Sequence, residues 1–128
     1  MFSLEFAFDV KLSVDKKDKN VFNSILYCIT LDQDVGEILG NITREKDKII
    51  YTIDTSELNG EYNGLGIGFK YYTETIRKCF DYGCTEFRSS KTRNKYSDRV
   101  WEKLKAKFYN IEKYRKQYIV SLPDKQIL

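Results

Sequence analysis

Four glycines, at positions 60, 64, 66 and 68, crowd the stretch NGEYNGLGIGFKYY. Glycine weakens both helices and strands, so its concentration marks backbone that must bend or be approached closely. The residues that follow read as a helix, whose first turn holds unpaired N–H groups and the positive end of the helix dipole. A glycine-rich turn opening a helix suits an anion, phosphate above all. What the chain lacks limits the chemistry around that turn. It has no histidine, which removes Ser–His and Cys–His pairs and disfavours a zinc or iron site. Acid–base work falls to carboxylates, tyrosines, cysteines, lysines or water. The carboxylates just upstream are Asp54 and Glu57, with Glu37 further back. Strict alternation gives Asp54 the parity of Leu58 and Glu57 the opposite one, so one faces a site only if the other faces away. Cys79 and Cys84 show no base partner, and buried structural thiols are the commoner case.

The glycine spacing is not GxxxxGK[ST], which disfavours a nucleotide-hydrolysing P-loop. Nor does it follow the first strand of a parallel sheet, as a dinucleotide fingerprint requires.

The elements that position these residues follow from periodicity. Residues 4–14 alternate, with Leu4, Phe6, Phe8, Val10, Leu12 and Val14 on one face, and read as a half-buried strand. After the charged DKKDKN loop, VFNSILYCITL, GEILGNIT and IIYTIDTSEL read as three further strands. Their short connections predict an antiparallel meander. From about Gly66 to Tyr82 the spacing becomes helical, through Tyr72, Ile76, Cys79 and Phe80, and Gly83 is placed to cap it. CTEFRSS reads as a strand parallel to the fourth, because a helix joins the two. A second helix is expected from about Asn94 or Tyr96 to Lys107, with Val100, Trp101, Leu104 and Phe108 as its apolar stripe. KYRKQYIVSLP reads as one last strand.

Composition sets the frame. The 128 residues fit one domain spanning 1–128, and 41% hydrophobic with 32% charged residues fits a globular chain. No apolar run approaches a membrane span, so no membrane association is expected. The acidic start MFSLEFAFDV lacks the basic region of a signal peptide, and three scattered cysteines fit a reducing cytoplasm. The net charge of +3 is unevenly placed: residues 88–116 carry eleven Lys/Arg against three Asp/Glu, a net +8, leaving −5 for the rest. Such a segment is either a solvated surface or the footprint of an anionic ligand or partner.

Over about residues 24 to 121 the chain resembles the GNAT superfamily of N-acetyltransferases. Asn63-Gly64-Leu65-Gly66-Ile67-Gly68 is similar to that family's Arg/Gln-x-x-Gly-x-Gly/Ala acyl-CoA loop, and RNKYSDRVWEKL resembles its second cofactor helix, Asn-x-x-Ala/Ser-x-x-x-Tyr-x-x-Leu. The short version found here is similar to small acetyltransferase-like proteins often found in phage genomes. The resemblance implies an α/β (α+β) fold: a mixed, mostly antiparallel sheet, V-shaped between its fourth and fifth strands, here with reduced N-terminal helices. It implies acetyl-CoA as cosubstrate and no metal. Backbone around Gly64, Leu65, Gly66, Ile67, Gly68 and Phe69 would take the pyrophosphate. The strand end near Glu57 and Leu58 would pair with the pantetheine arm, Asn94 would hydrogen-bond it, and Arg93 would meet the ribose phosphate.

Three departures from the family pattern matter for function. Asn63 stands where Arg or Gln is usual, which removes a charge-assisted contact. Trp101 aligns with the family's tyrosine acid, and an indole N–H is no usable acid near neutral pH. Trp101 is expected in the core instead, leaving Tyr96, Tyr109 or water as the acid and Glu57, Asp54 or Glu37 as the base. Finally, the stretch between Val14 and Phe22 is too short for the two helices that usually roof the acceptor site. The expected activity is acetyl transfer to an amine on a macromolecular acceptor, protein or nucleic acid, with a second subunit of a homodimer or another partner as the missing wall. The rival readings are a binding protein that keeps the fold without catalysis, and a nucleic-acid-binding or -modifying module built on the basic 88–116 segment.

Overall fold

The computed structural model describes residues 7–58 and 66–122. Alternating segments become strands β1 (Phe8–Val14), β2 (Val21–Cys28), β3 (Gln33–Glu45) and β4 (Lys48–Leu58). Each pairs antiparallel with the next, which yields the expected meander. Helix α1 (Ile67–Tyr82) then crosses over to β5 (Glu86–Arg88), which lies parallel to β4. Helix α2 (Lys95–Lys107) leads to β6 (Ile111–Tyr114) and β7 (Gln117–Ser121). The sheet order is β1-β2-β3-β4-β5-β7-β6.

The tail departs from its sequence reading. It is a hairpin rather than one strand: β6 and β7 pair antiparallel, and Arg115 turns the chain with φ 58. The turn is hard to see because Arg115 is neither Gly nor Asn, the residues that usually mark a positive φ.

Gly83 ends α1 as expected, at φ 127, with its N–H donated to the carbonyls of Cys79 and Phe80. Asn94 caps α2, its side-chain oxygen accepting from the Ser97 N–H at 2.8 Å. Both helices pack on one face of the sheet. Tyr71 of α1 donates to the Ser24 carbonyl at 2.6 Å. Trp101 of α2 stacks on Tyr118 at 5.4 Å and 12°, and tilts against Phe87 at 6.2 Å. The chain of rings runs on across the sheet through Tyr51 and Phe22 to Tyr82 of α1. Both described helices lie on this side, so the opposite face carries no helix among the described residues. The β1–β2 connection holds only residues 15–20, too few for the roofing helices, as the sequence indicated.

Two irregularities shape β4. The first is a bulge. Leu39 pairs with Thr55 and Gly40 with Ile53, so Asp54 is an extra residue on its strand. The tight spot opposite is Gly40, where a Cβ would stand 2.5 Å from the Thr52 carbonyl oxygen and from the Tyr51 ring. The second is the splay. β4 runs to Leu58 but pairs with β5 only over Ile50–Thr52, so the strands part beyond Thr52 and Arg88.

Candidate active site

The splay opens a slot bounded by the end of β4, the first turns of α1 and the start of α2. Two cavities of about 260 and 270 Å³ occupy it. The first reaches the opening of α1 and is lined by Leu58, Gly68, Tyr71 and Tyr96. The second reaches towards the β4–β5 fork and is lined by Ile53, Asp54, Arg93 and Trp101. Ser56, Glu57, Tyr72, Asn94 and Ser97 line both, so the cavities adjoin there.

Most of the residues singled out in the sequence converge on this slot. Asn63, Gly64 and Leu65 lie outside the described residues. Gly66 is the N-cap of α1 with φ 77 and ψ −1, and among the described residues no side chain caps the helix. Among the described residues, chain neighbours aside, a Cβ on Gly66 would meet nothing within 4 Å, so on that side its backbone is open to approach. A Cβ on Gly68, in contrast, would collide with the Tyr96 hydroxyl and sit 3.1 Å from Val100. Gly68 thus lets Tyr96 lie over the start of α1. The side chains of Ile67 and Phe69 serve packing: Ile67 lies against the core, and Phe69 stacks on Phe108 at 6.2 Å.

Arg93 is otherwise occupied than the resemblance implied. Its Nε donates to Asp98 at 2.8 Å, and Nη1 to the carbonyls of Ser90 and Lys116 at 2.6 Å each. The guanidinium also lies 4.8 Å from the Tyr118 ring centre, and the side chain is only 9% exposed. Its role is to clamp the β5–α2 loop to the β6–β7 hairpin. Exposed cations nearby, such as Lys91 and Lys95, are freer to meet a phosphate.

The two carboxylates do not obey the parity expected of them. Tyr51 and Ile53 face the helices, and beyond the bulge so do Ser56 and Leu58. Asp54 accepts a hydrogen bond from Asn41, on the helix-free face. Glu57 lies opposite Glu37 in the register, on that same face. The extra residue at Asp54 therefore brings both carboxylates to one side. Gly40 was the signal for it, since a glycine inside a strand often marks a bulge.

Two residues that the sequence reading left out of the site sit at its middle. Tyr72 is 5% exposed and shares a 2.7 Å hydrogen bond with the Ser56 hydroxyl. Burial pushes the Tyr72 phenol above its ordinary range, and the bond to Ser56 partly offsets this. Ser56 shares the parity of Leu58, and Tyr72 follows Gly68 by one helical turn, so both were in view as positions. Cys79 and Cys84 are buried together away from the slot, and their mutual hydrogen bond and burial hold the Cys79 thiol protonated. Among the described residues no cluster of His, Cys, Asp and Glu could hold a metal ion, and no helix is long and apolar enough to cross a membrane.

No established family pattern and no curated protein matches the chain at the level of sequence. Solved structures do match. A ribosomal-protein-S5-alanine acetyltransferase from Vibrio fischeri superimposes with a TM-score of 0.60 at 18% identity, over 82% of this chain and 62% of that one. An acetyltransferase of the GNAT family from Staphylococcus aureus gives 0.56 at 13% identity, over 81% and 69%. The fold is that of the GNAT acetyltransferases. An acetyltransferase from Bacillus subtilis in complex with CoA gives 0.60 at 8% identity, over 93% of this chain and all of that one. This chain thus spans just under two thirds of the Vibrio protein and the full length of the Bacillus one. In this chain the β1–β2 connection is six residues long and a fully buried tryptophan lies beside the splay.

Proposed function

We propose that the chain is an acetyl-CoA-dependent N-acyltransferase acting on an amine of a macromolecule in a reducing, cytoplasmic setting. The observation that carries this reading is the glycine-started α1, without a side-chain cap among the described residues, opening directly onto the β4–β5 slot. Unpaired first-turn amides and the helix dipole favour a pyrophosphate, and the open space at Gly66 admits one. The unpaired side of β4 near Glu57 and Leu58 offers backbone to the pantetheine arm, and Asn94 and Ser97 line its path. Acetyl-CoA supplies the activated acyl group. The chain's own residues then hold it, take a proton from the amine at Asp54 or Glu57, and return one to the leaving thiolate. The helix-free face leaves the carboxylate side open to a large acceptor. That acceptor, or a second subunit, would exclude water. The name of the Vibrio neighbour specifies a protein acceptor for that enzyme, in keeping with a macromolecular one here.

The test has two parts. Acetyl-CoA at high micromolar concentration raises the Tm through ligand linkage, and CoA is released faster with protein or nucleic-acid fractions than with small polyamines. Absence of any Tm shift refutes the cradle; fast turnover of a small amine by a monomer refutes the open acceptor side.

One observation favours nucleic acid as the acceptor or ligand. Lys95, Arg99, Lys103 and Lys107 recur at four-residue steps along α2, all exposed. The neighbouring Asp98 and Glu102 are engaged by Arg93 and Tyr118. A gel shift on DNA or RNA that weakens steeply with salt supports this reading.

A further inference from the structure

Acetyl transfer to an amine needs a proton donor for the leaving sulfur, and α2 cannot supply it from the position where the resemblance places a tyrosine. That position is Trp101, 1% exposed and stacked on Tyr118. Of the other phenols that the sequence offers, Tyr109 is 68% exposed beyond the end of α2 and lines neither cavity of the slot. Tyr96 lines only the first cavity, its hydroxyl over Gly68, where the phosphates rather than the thioester belong. Among the described residues one phenol lines both cavities, that of Tyr72.

We propose that Tyr72, on α1, is the acid that protonates the leaving thiolate, with the Ser56 hydroxyl holding it in position. This assignment rests on the acyltransferase reading above. Four observations carry it. Tyr72 sits where the two cavities adjoin, which is where a donor arriving from the α1 end and an acceptor arriving from the fork must meet. Its ring is fixed on two sides, edge-on to Trp101 at 5.6 Å and 81° and to Tyr71 at 6.2 Å and 90°. The bulky indole that displaces the usual tyrosine is thus the wall against which Tyr72 leans. Its hydroxyl is oriented by Ser56, which also lines both cavities. And it approaches from the helix face of the slot, whereas Asp54 and Glu57 lie on the opposite face, so acid and base stand on separate sides of the reacting carbon.

The step balances. The unprotonated amine attacks the thioester carbonyl carbon and a C–N bond forms. The C–S bond breaks with its electron pair on sulfur, which takes the proton from the Tyr72 oxygen. The proton lost by nitrogen passes to Asp54 or Glu57. The Tyr72 phenolate, stabilised by a hydrogen bond from Ser56, recovers its proton from solvent through the slot. Burial keeps Tyr72 protonated between turnovers.

The experiment uses hydroxylamine as acceptor, an amine already unprotonated at neutral pH, so the base is not required. CoA release is followed for the intact chain and for Tyr72→Phe, Ser56→Ala and Tyr96→Phe, and acetyl-CoA binding is read separately from the Tm shift. General acid–base groups contribute about 10²–10⁴-fold, so Tyr72→Phe should lower kcat about 100-fold with an unchanged acetyl-CoA Tm shift. Ser56→Ala, which loosens Tyr72, should lower it by less. With S-phenyl thioacetate, whose aryl thiolate leaves without a proton, the Tyr72→Phe loss should nearly vanish. Equal loss with both donors means Tyr72 is structural and overturns the assignment, as does full activity of Tyr72→Phe or transfer of the 100-fold loss to Tyr96→Phe. If the intact chain binds acetyl-CoA yet releases no CoA with hydroxylamine or with protein or nucleic-acid fractions, the acyltransferase reading itself fails and this assignment with it.

Discussion

Trp101 lies parallel to Tyr118, 5.4 Å away, so α2 is pinned to β7 by two stacked rings. The same indole touches Phe87 of β5 and Tyr72 of α1, and it joins four elements. Truncating a buried Trp costs about 3–5 kcal/mol. Trp101→Ala is expected to unfold or severely destabilise the chain, as read by a urea melt. A stable Trp101→Ala protein that had lost only activity would give the indole a functional role instead.

Gly66 tests the cradle. Its φ of 77 lies in the left-handed region, which costs an L-residue roughly 1–2 kcal/mol. Among the described residues, chain neighbours aside, nothing lies within 4 Å of an added Cβ, so Gly66→Val should stay folded. The new side chain would stand where the pyrophosphate approaches. The acetyl-CoA Tm shift should disappear while the far-UV spectrum is kept; an undiminished shift in the folded variant would remove the cradle.

Arg93 is expected to act on architecture. It bridges the β5–α2 loop, α2 and the β6–β7 turn through Ser90, Asp98 and Lys116. Hydrogen bonds to charged groups contribute about 1.5–3 kcal/mol. Arg93→Ala should lower the Tm and speed hydrogen exchange at Ser90 and Lys116. A variant of unchanged stability with weaker acetyl-CoA binding would return Arg93 to the phosphate role.

The buried phenols predict alkaline weakness. Burial is the main cause pushing Tyr51, Tyr71 and Tyr72 above the ordinary range. The folded chain therefore holds these protons more tightly than the unfolded chain does. Their contribution is complete below about pH 10, the value of an exposed phenol, and is lost as pH climbs beyond it. Urea midpoints should be flat from neutrality to about pH 9 and fall above it. Tyrosine absorbance should show these rings ionising only with unfolding.

Much of the fold was legible because burial here follows simple periods. Val10, Leu26, Ile38 and Ile42 alternate inward as the strand pattern requires, and Tyr72, Ile76 and Cys79 trace the helical one. What escaped the sequence were events that break a period. The bulge at Asp54 inverted the facing of every downstream residue, and a parity count cannot contain an unpaired residue. The turn at Arg115 carries no turn signature. The site was half visible: the glycine start of α1 announced itself, whereas Tyr72 read as one more core aromatic. Only the parting of β4 from β5, a feature of tertiary pairing, opens the slot that Tyr72 lines.

The bulge at Asp54 has the character of a phase shift in a wave. Upstream of it, the odd-numbered residues Tyr51 and Ile53 build the core; downstream, the even-numbered Ser56 and Leu58 face the same way. One strand is thereby divided into a half that builds the core and a half that lines the slot. Deleting Asp54 alone would put the halves back in step. Thr55 would then follow Ile53 directly in the same register, with Ser56 and Leu58 still towards the helices and Glu57 still on the open face, so the loss of a single codon would remove one of the two carboxylates and leave the facing of the slot as it is.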